Sequence, residues 1–187
     1  LIVGHQDCGS AALRASGTTA ILVTHDQLEA LSVADQVAVL LGGRVAQAGD
    51  PTALYADPVS LEVATFVGDA VVLDGLISGN AVECPLGRLQ MRVPMPGPDQ
   101  VSVLLRPEQI LIAATNGDGR GAVDPVAGTV LSRAYFGHDA MIVVRLMNGT
   151  EVRARLHATE LPLVGAVVEL CVAGAVSVFA RSAVGMG

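Results

Sequence analysis

Four histidines, three cysteines and scattered carboxylates are the side chains with which this 187-residue chain could do chemistry, and their spacing singles out one position. His25 lies in Thr24-His25-Asp26-Gln27, after the short apolar run that ends at Thr24 and before a segment that reads as a helix. Asp26 is placed to cap that helix, with Glu29 three residues later as in a capping box. The end of a strand that leads into a capped helix, in an open α/β sheet, is where ligands bind. A lone histidine at a strand end is otherwise a structural residue. The remaining candidates are weaker. His5 and Cys8 have ligand chemistry at i, i+3, but two ligands do not hold zinc without further partners. Asp118 stands between Gly117 and Gly119 without the carboxylates at regular spacing that a calcium loop requires. Cys8, Cys84 and Cys171 are far apart, lack CxxC spacing and read as small buried thiols in a reducing compartment.

The elements that must position His25 follow from the pattern around it. Ala20–Thr24 is a short, β-branched apolar run, as expected of a buried parallel strand. Leu28, Leu31 and Ala34 share one face of the helix that follows Asp26. Gln36–Leu41 reads as a second apolar strand, and Gly42–Gly43 as a turn into Arg44–Ala48. Asp50–Pro51 opens a short helix with proline at its first position, where no hydrogen bond is lost. Pro58 precedes another helix, with Val63, Phe66 and Val67 at helical spacing and Gly68 at its end. The order of strands and helices is that of the edge of an α/β domain. Residues 1–10 carry no assignable pattern, and the first domain is taken as 1–68.

After Gly68 the period changes to two. Leu89, Met91 and Val93 alternate with Arg88, Gln90 and Arg92, the mark of a half-buried strand. The segment 94–98 (PMPGP) breaks it, and Val101–Leu105 resumes. Residues 116–121 (NGDGRG) read as a loop. Met141–Leu146 and Glu151–Leu156 flank Asn148-Gly149, a strong hairpin signal. Val167–Val172 and Val176–Ala180 complete the run, so residues 69–187 are expected to form an all-β, barrel-like domain.

Composition narrows the classes of function. Half of the chain is apolar, its net charge is −7, and every cation other than histidine is arginine. Such a chain has no general attraction for nucleic-acid backbones or anionic membranes. Binding of single strands through a barrel would need a basic groove with stacking aromatics, and the chain has five aromatic residues. No apolar run approaches the roughly 18 residues of a membrane span, and the start has no secretory pattern. A cytoplasmic protein is the default.

Taken in order, Thr24-His25-Asp26-Gln27, Glu29-Ala30-Leu31, Ala34-Asp35, Gly43-Arg44, Gln47, Gly49, Pro51, Tyr55, Pro58, Phe66 and Gly68 resemble the last part of the nucleotide-binding domain of an ATP-binding-cassette (ABC) importer ATPase. The likeness is to the iron(III), polyamine and sugar type. The β-rich half is similar to the accessory domain of the same family, the transport-associated oligonucleotide-binding-type (TOBE) domain. Arg106-Pro107-Glu108, Gly128-Thr129-Val130, Tyr135-Phe136-Gly137 and Asn148-Gly149 carry that likeness. The resemblance implies an α/β remnant of an ABC ATPase domain followed by an oligonucleotide-binding-like (OB-like) barrel. It implies that His25 is the switch histidine, which contacts the γ-phosphate of ATP bound with Mg2+. It also implies membrane permease subunits and a second ATPase subunit as partners, and a place at the inner face of the plasma membrane. Iron(III) is the preferred solute, from the segments VLLRPEQI and YFGHD.

The departures from the family matter as much. The chain contains no lysine, so it holds no GxxxxGK[ST] loop. It also has no LSGGQ-like signature and no apolar strand ending in Asp-Glu. By itself it is therefore expected to be inactive as an ATPase and to act as a binding or dimerisation module. A different class of function is a free-standing small-anion sensor built on the β-rich domain alone. The segment THDQLEALSVAD speaks against that class, because a sensor has no use for it.

Overall fold

A computed structural model describes residues 2–3, 19–95, 100–113, 125–157 and 161–181. Its contacts divide the chain into two units, Leu1–Asp69 and Ala70–Gly187, each with its own set of buried apolar residues. The expected segments 116–121 and 5–8 lie outside the described residues.

The first unit contains β1 (Ile2–Val3), β2 (Leu22–Val23), α1 (Gln27–Val33), β3 (Val37–Leu41), β4 (Arg44–Gly49), α2 (Pro51–Ala56) and α3 (Leu61–Val67). The strands form one sheet in the order β2-β1-β3-β4. Strand and helix follow one another as the pattern requires, but the expectation of a buried parallel strand at Ala20–Thr24 is corrected. Only Leu22–Val23 is strand, it pairs antiparallel with Ile2–Val3, and Val23 is 75 % exposed. An apolar run signals burial only where both faces of the strand are covered. The core sits instead around Val37 and Val39 of β3, with Leu54 of α2 and Val63 and Val67 of α3. Each helix begins at a side-chain cap: Asp26, Asp50 and Ser60 accept from backbone N–H groups two or three residues on. Gln47 ties β4 to the approach of α3, donating to the Asp57 carbonyl at 3.0 Å and accepting from the Val59 N–H at 2.9 Å.

The named strands of the second unit all pair antiparallel. Its strands are β5 (Val71–Ser78), β6 (Ala81–Cys84), β7 (Gly87–Gln90), β8 (Gln100–Leu105), β9 (Ile110–Ala113), β10 (Val126–Tyr135), β11 (Asp139–Leu146), β12 (Glu151–His157), β13 (Val167–Val172) and β14 (Ser177–Ala180). They make two five-stranded sheets, β14-β8-β5-β6-β7 and β9-β13-β10-β11-β12. The two orders correspond strand for strand. In each, a meander of three strands is followed by a fourth that returns beside the first, and the fifth strand leaves to pair in the other sheet. Thus β9 joins β13, and β14 joins β8.

The correspondence extends to single residues. Gly75 of β5 and Gly128 of β10 are both buried where a Cβ would lie 2.6 Å from a valine methyl, of Val103 and Val144 respectively. At each, a carbonyl of the neighbouring strand is close as well, Glu83 at 3.3 Å and Arg145 at 3.0 Å. Those same two residues form matching cross-strand ion pairs of opposite polarity, Glu83–Arg88 and Arg145–Glu151. Alternating positions of both sheets fill one core, from Leu73, Val82 and Val103 in one set to Ile142, Val144 and Leu170 in the other.

The hairpin at Asn148-Gly149 forms as expected, with the Leu146 N–H donating to the Thr150 carbonyl and the Gly149 N–H to the Leu146 carbonyl. The strand expected through Val93 ends earlier. β7 stops at Gln90, Met91 makes a single bridge to Val176, and Val93 is 70 % exposed. Cys84 and Cys171 are free and half-buried, and burial pushes both thiols up, the Leu86 backbone partly offsetting this at Cys84.

The close approach at Gly128 generates a test. Gly128→Ala is expected to destabilise the chain by about 1–3 kcal/mol, the range for overpacking a core. The methyl meets a backbone carbonyl that cannot swing away, so relief requires the strands to part. Urea unfolding of the variant checks this, and an unchanged midpoint would show that β10 and β11 are not in tight contact there.

Candidate functional site

His25 occupies the bend between β2 and α1, and its backbone is pinned on both sides. The Asp26 N–H donates to Thr24 Oγ1 at 3.0 Å, and Asp26 Oδ1 accepts from the Glu29 N–H at 3.1 Å. The Ala30 N–H then bonds to the Asp26 carbonyl and starts the helix. Thr24 and Asp26 therefore fix the bend, and the imidazole between them is exposed. The sequence motif is a presentation device: its two outer residues use their oxygens on the chain itself and leave the middle residue for something else.

Three apolar residues close to His25 in the chain are exposed. Ile21 is 76 % exposed, Val23 75 % and Leu28 78 %. Apolar side chains exposed together mark an interaction surface more often than chance. The sequence pattern placed these residues in a core, and that signal could not say whether the described residues would supply the cover.

As a phosphate or metal site the bend is incomplete. It offers one imidazole, there is no lysine in the chain, and no group of three or more histidine, cysteine, aspartate or glutamate side chains among the described residues could hold a metal ion. The residues here fit one contact to an anionic oxygen. They do not fit a site for ATP with Mg2+.

In the second unit, Arg106-Pro107-Glu108 forms the passage from β8 to β9. Arg106 is the one buried charged residue among those described, at 6 % exposure, and Pro107–Gln109 makes a single 3₁₀ turn. The working residue of the segment is the next one, which the motif did not single out. Gln109 Oε1 accepts from the Arg106 N–H at 2.9 Å, while its Nε2 donates to the carbonyls of Ala173 and Ala175 at 3.2 and 3.3 Å. Its own carbonyl accepts from the Ala173 N–H at 2.8 Å. Residues 173–176 are the matching passage from β13 to β14, so one glutamine fastens the two passages together.

Residues 103–179 match the TOBE domain family, from within β8 to within β14. The Fe(3+) ions import ATP-binding protein FbpC of Mesorhizobium japonicum is 40 % identical over 179 residues, covering 89 % of this chain and 49 % of that protein. FbpC 2 of Rhodococcus jostii is 44 % identical over 138 residues, or 73 % of this chain and 37 % of that protein. FbpC 2 of Pectobacterium atrosepticum is 36 % identical over 173 residues, 90 % and 48 %. The chain belongs with the C-terminal part of ABC-importer ATP-binding subunits. It spans about half or less of the length of these curated relatives.

Among solved structures, the cytoplasmic molybdate-binding protein ModG matches 59 % of this chain and 96 % of its own with a TM-score of 0.51. Their sequences are 16 % identical, so the likeness is one of fold. It supports the reading of the TOBE-bearing unit as an OB-like, all-β domain. The strand exchange itself had no signature in the sequence, since hydropathy reports which face of a strand is buried and not which sheet it joins.

The cap at Asp26 can be tested directly. Asp26→Ala is expected to cost roughly 1 kcal/mol, the usual loss for an N-cap. Amide hydrogen exchange should accelerate over residues 27–33 and stay unchanged over 126–157. Equal acceleration in both segments would mean that the substitution acts globally and not through the cap.

Proposed function

We infer that this chain serves as the C-terminal part of the ATP-hydrolysing subunit of an ABC importer, with iron(III) as the solute carried. The observation that carries the reading is the bend at His25. The histidine is exposed between two residues that hold its backbone, in a chain 40 % identical over 179 residues to an Fe(3+) ions import ATP-binding protein. In such a subunit His25 would act as the switch histidine, offering its imidazole to the γ-phosphate of ATP. The phosphate-neutralising lysine and the acidic residues for Mg2+ would have to come from other segments, because this chain has no lysine and no carboxylate cluster among its described residues. The exposed Ile21, Val23 and Leu28 supply the surface on which those segments pack.

The partners that follow are the membrane permease subunits and a second copy of the ATP-binding subunit. The place of work is the inner face of the plasma membrane. No helix among the described residues is long and apolar enough to cross a membrane. The TOBE domain serves as the accessory and regulatory part. A second reading, a free-standing sensor of small anions, draws on the fold shared with the molybdate-binding protein. That support stops at the fold, and the sensor leaves the presentation of His25 without a purpose.

Two measurements separate these readings. The isolated chain is expected to show no ATP turnover above background, because the groups that cradle and neutralise phosphates are not in it. Turnover that vanished in His25→Ala would overturn this. In an ATP-binding subunit that carries these residues, His25→Ala should lower turnover by roughly a hundredfold, the scale of a lost transition-state contact, while nucleotide affinity changes little. A structural histidine would instead lower affinity and melting temperature together.

A further inference from the structure

We propose that Thr24 is a positioning residue for His25 and acts through its hydroxyl, a role that rests on the reading of His25 as the switch histidine. β2 ends at Val23 and α1 begins at Gln27, so His25 belongs to neither element. Its backbone angles are therefore not set by a strand ladder or by the helical repeat. They are set by the bond from the Asp26 N–H to Thr24 Oγ1, at 3.0 Å. The ring that this bond closes runs from the Thr24 side chain through the whole of His25 to the next amide. It contains both soft angles of His25, φ and ψ. Those angles fix the direction in which the Cα–Cβ bond leaves the chain, and with it the reach of the imidazole.

The sequence pattern assigns the same amide differently. In a capping box the N–H of the cap residue goes to the side chain three residues on, which here is Glu29. The structure gives that N–H to Thr24, and Glu29 contributes its own backbone N–H to Asp26 Oδ1 at 3.1 Å. The two bonds divide the work. The Asp26 carboxylate holds the first turn of α1, while the Thr24 hydroxyl spans His25. Threonine suits the task because its β-branch restricts χ1, so the oxygen is presented with little freedom to lose.

Two substitutions separate the hydroxyl from the shape. Valine has nearly the outline of threonine and favours extended backbone, but it offers no acceptor. Serine keeps the acceptor and lacks the methyl. A role through the hydroxyl is retained in Thr24→Ser and lost in Thr24→Val, and a role through packing gives the opposite order. His25 and Asp26 are exposed, so water can take the freed amide and the fold survives the loss. What is lost is the held direction of His25, which matters where a group must meet its target in one geometry.

Two measurements test this. In the full chain labelled with nitrogen-15, relaxation gives the order parameters of the His25 and Asp26 amides. Thr24→Val is expected to lower them toward the flexible range, below about 0.6, and Thr24→Ser and Glu29→Ala to leave them in place. In an ATP-binding subunit that carries these residues, Thr24→Val should lower turnover about threefold to tenfold, the scale of one hydrogen bond. Nucleotide affinity and melting temperature should stay unchanged, and Thr24→Ser should keep most of the turnover. Full turnover in Thr24→Val, equal loss in Thr24→Ser, or order lost in Glu29→Ala and kept in Thr24→Val would each overturn the proposal. His25→Ala in the same subunit tells its failure from that of the reading beneath it. Full turnover in His25→Ala removes the histidine from the mechanism, whereas a loss there beside full turnover in Thr24→Val removes Thr24 alone.

Discussion

The second unit depends on the exchange of its fifth strands. Neither five-stranded sheet is made from a continuous stretch of chain: β9 completes the later set and β14 completes the earlier one. The exchange brings two passages side by side, and backbone groups there that lie outside the strand ladders need partners of another kind. Gln109 meets that demand with one side chain and one carbonyl. Arg106-Pro107-Glu108 is thus the visible part of a longer requirement. The proline shapes the turn, and the residue behind it closes the joint.

The first unit is organised around presentation more than enclosure. Among the described residues its core cluster is small, Val37, Val39, Leu54, Val63 and Val67 with a few partly buried neighbours. Its caps are complete, while Ile21, Val23 and Leu28 stand in solvent. A surface of this kind next to a histidine held at a bend is what a shared site looks like from one side. It ties the local chemistry of His25 to whatever packs against β2 and α1.

Much of this was legible in the sequence, for identifiable reasons. The helix starts at Asp26 and Asp50 are local events written in three or four residues, and the hairpin at Asn148-Gly149 likewise, whereas the third helix was read only as following Pro58 and its cap, Ser60, was not singled out. Strands β5 and β6 were not anticipated. Val71, Val72 and Leu73 are apolar without alternation, and Gly75 reads as a breaker although it is a contact point between strands. β9 is four residues long and lies against a turn motif, too short to show a period. The burial of Ala20–Thr24 was read from composition, but burial depends on what covers a strand. At the candidate site the position of His25 was readable from its flanks. The role of Gln109 was not, because its partners lie more than sixty residues away.

The inverted ion pairs bear on how the chain finds its register. The two meanders are alike enough that β6 could lie beside β12, or β11 beside β7, and still bury the same faces. In either mistake the charges would meet their own kind: Glu83 would oppose Glu151, and Arg145 would oppose Arg88. Like charges directly opposite each other weaken a strand pair, whereas the native partners attract. A repeated architecture carries within itself the template for its own mispairing. Reversing the polarity of one rung gives each meander a label by which its strands find one another and refuse those of the twin.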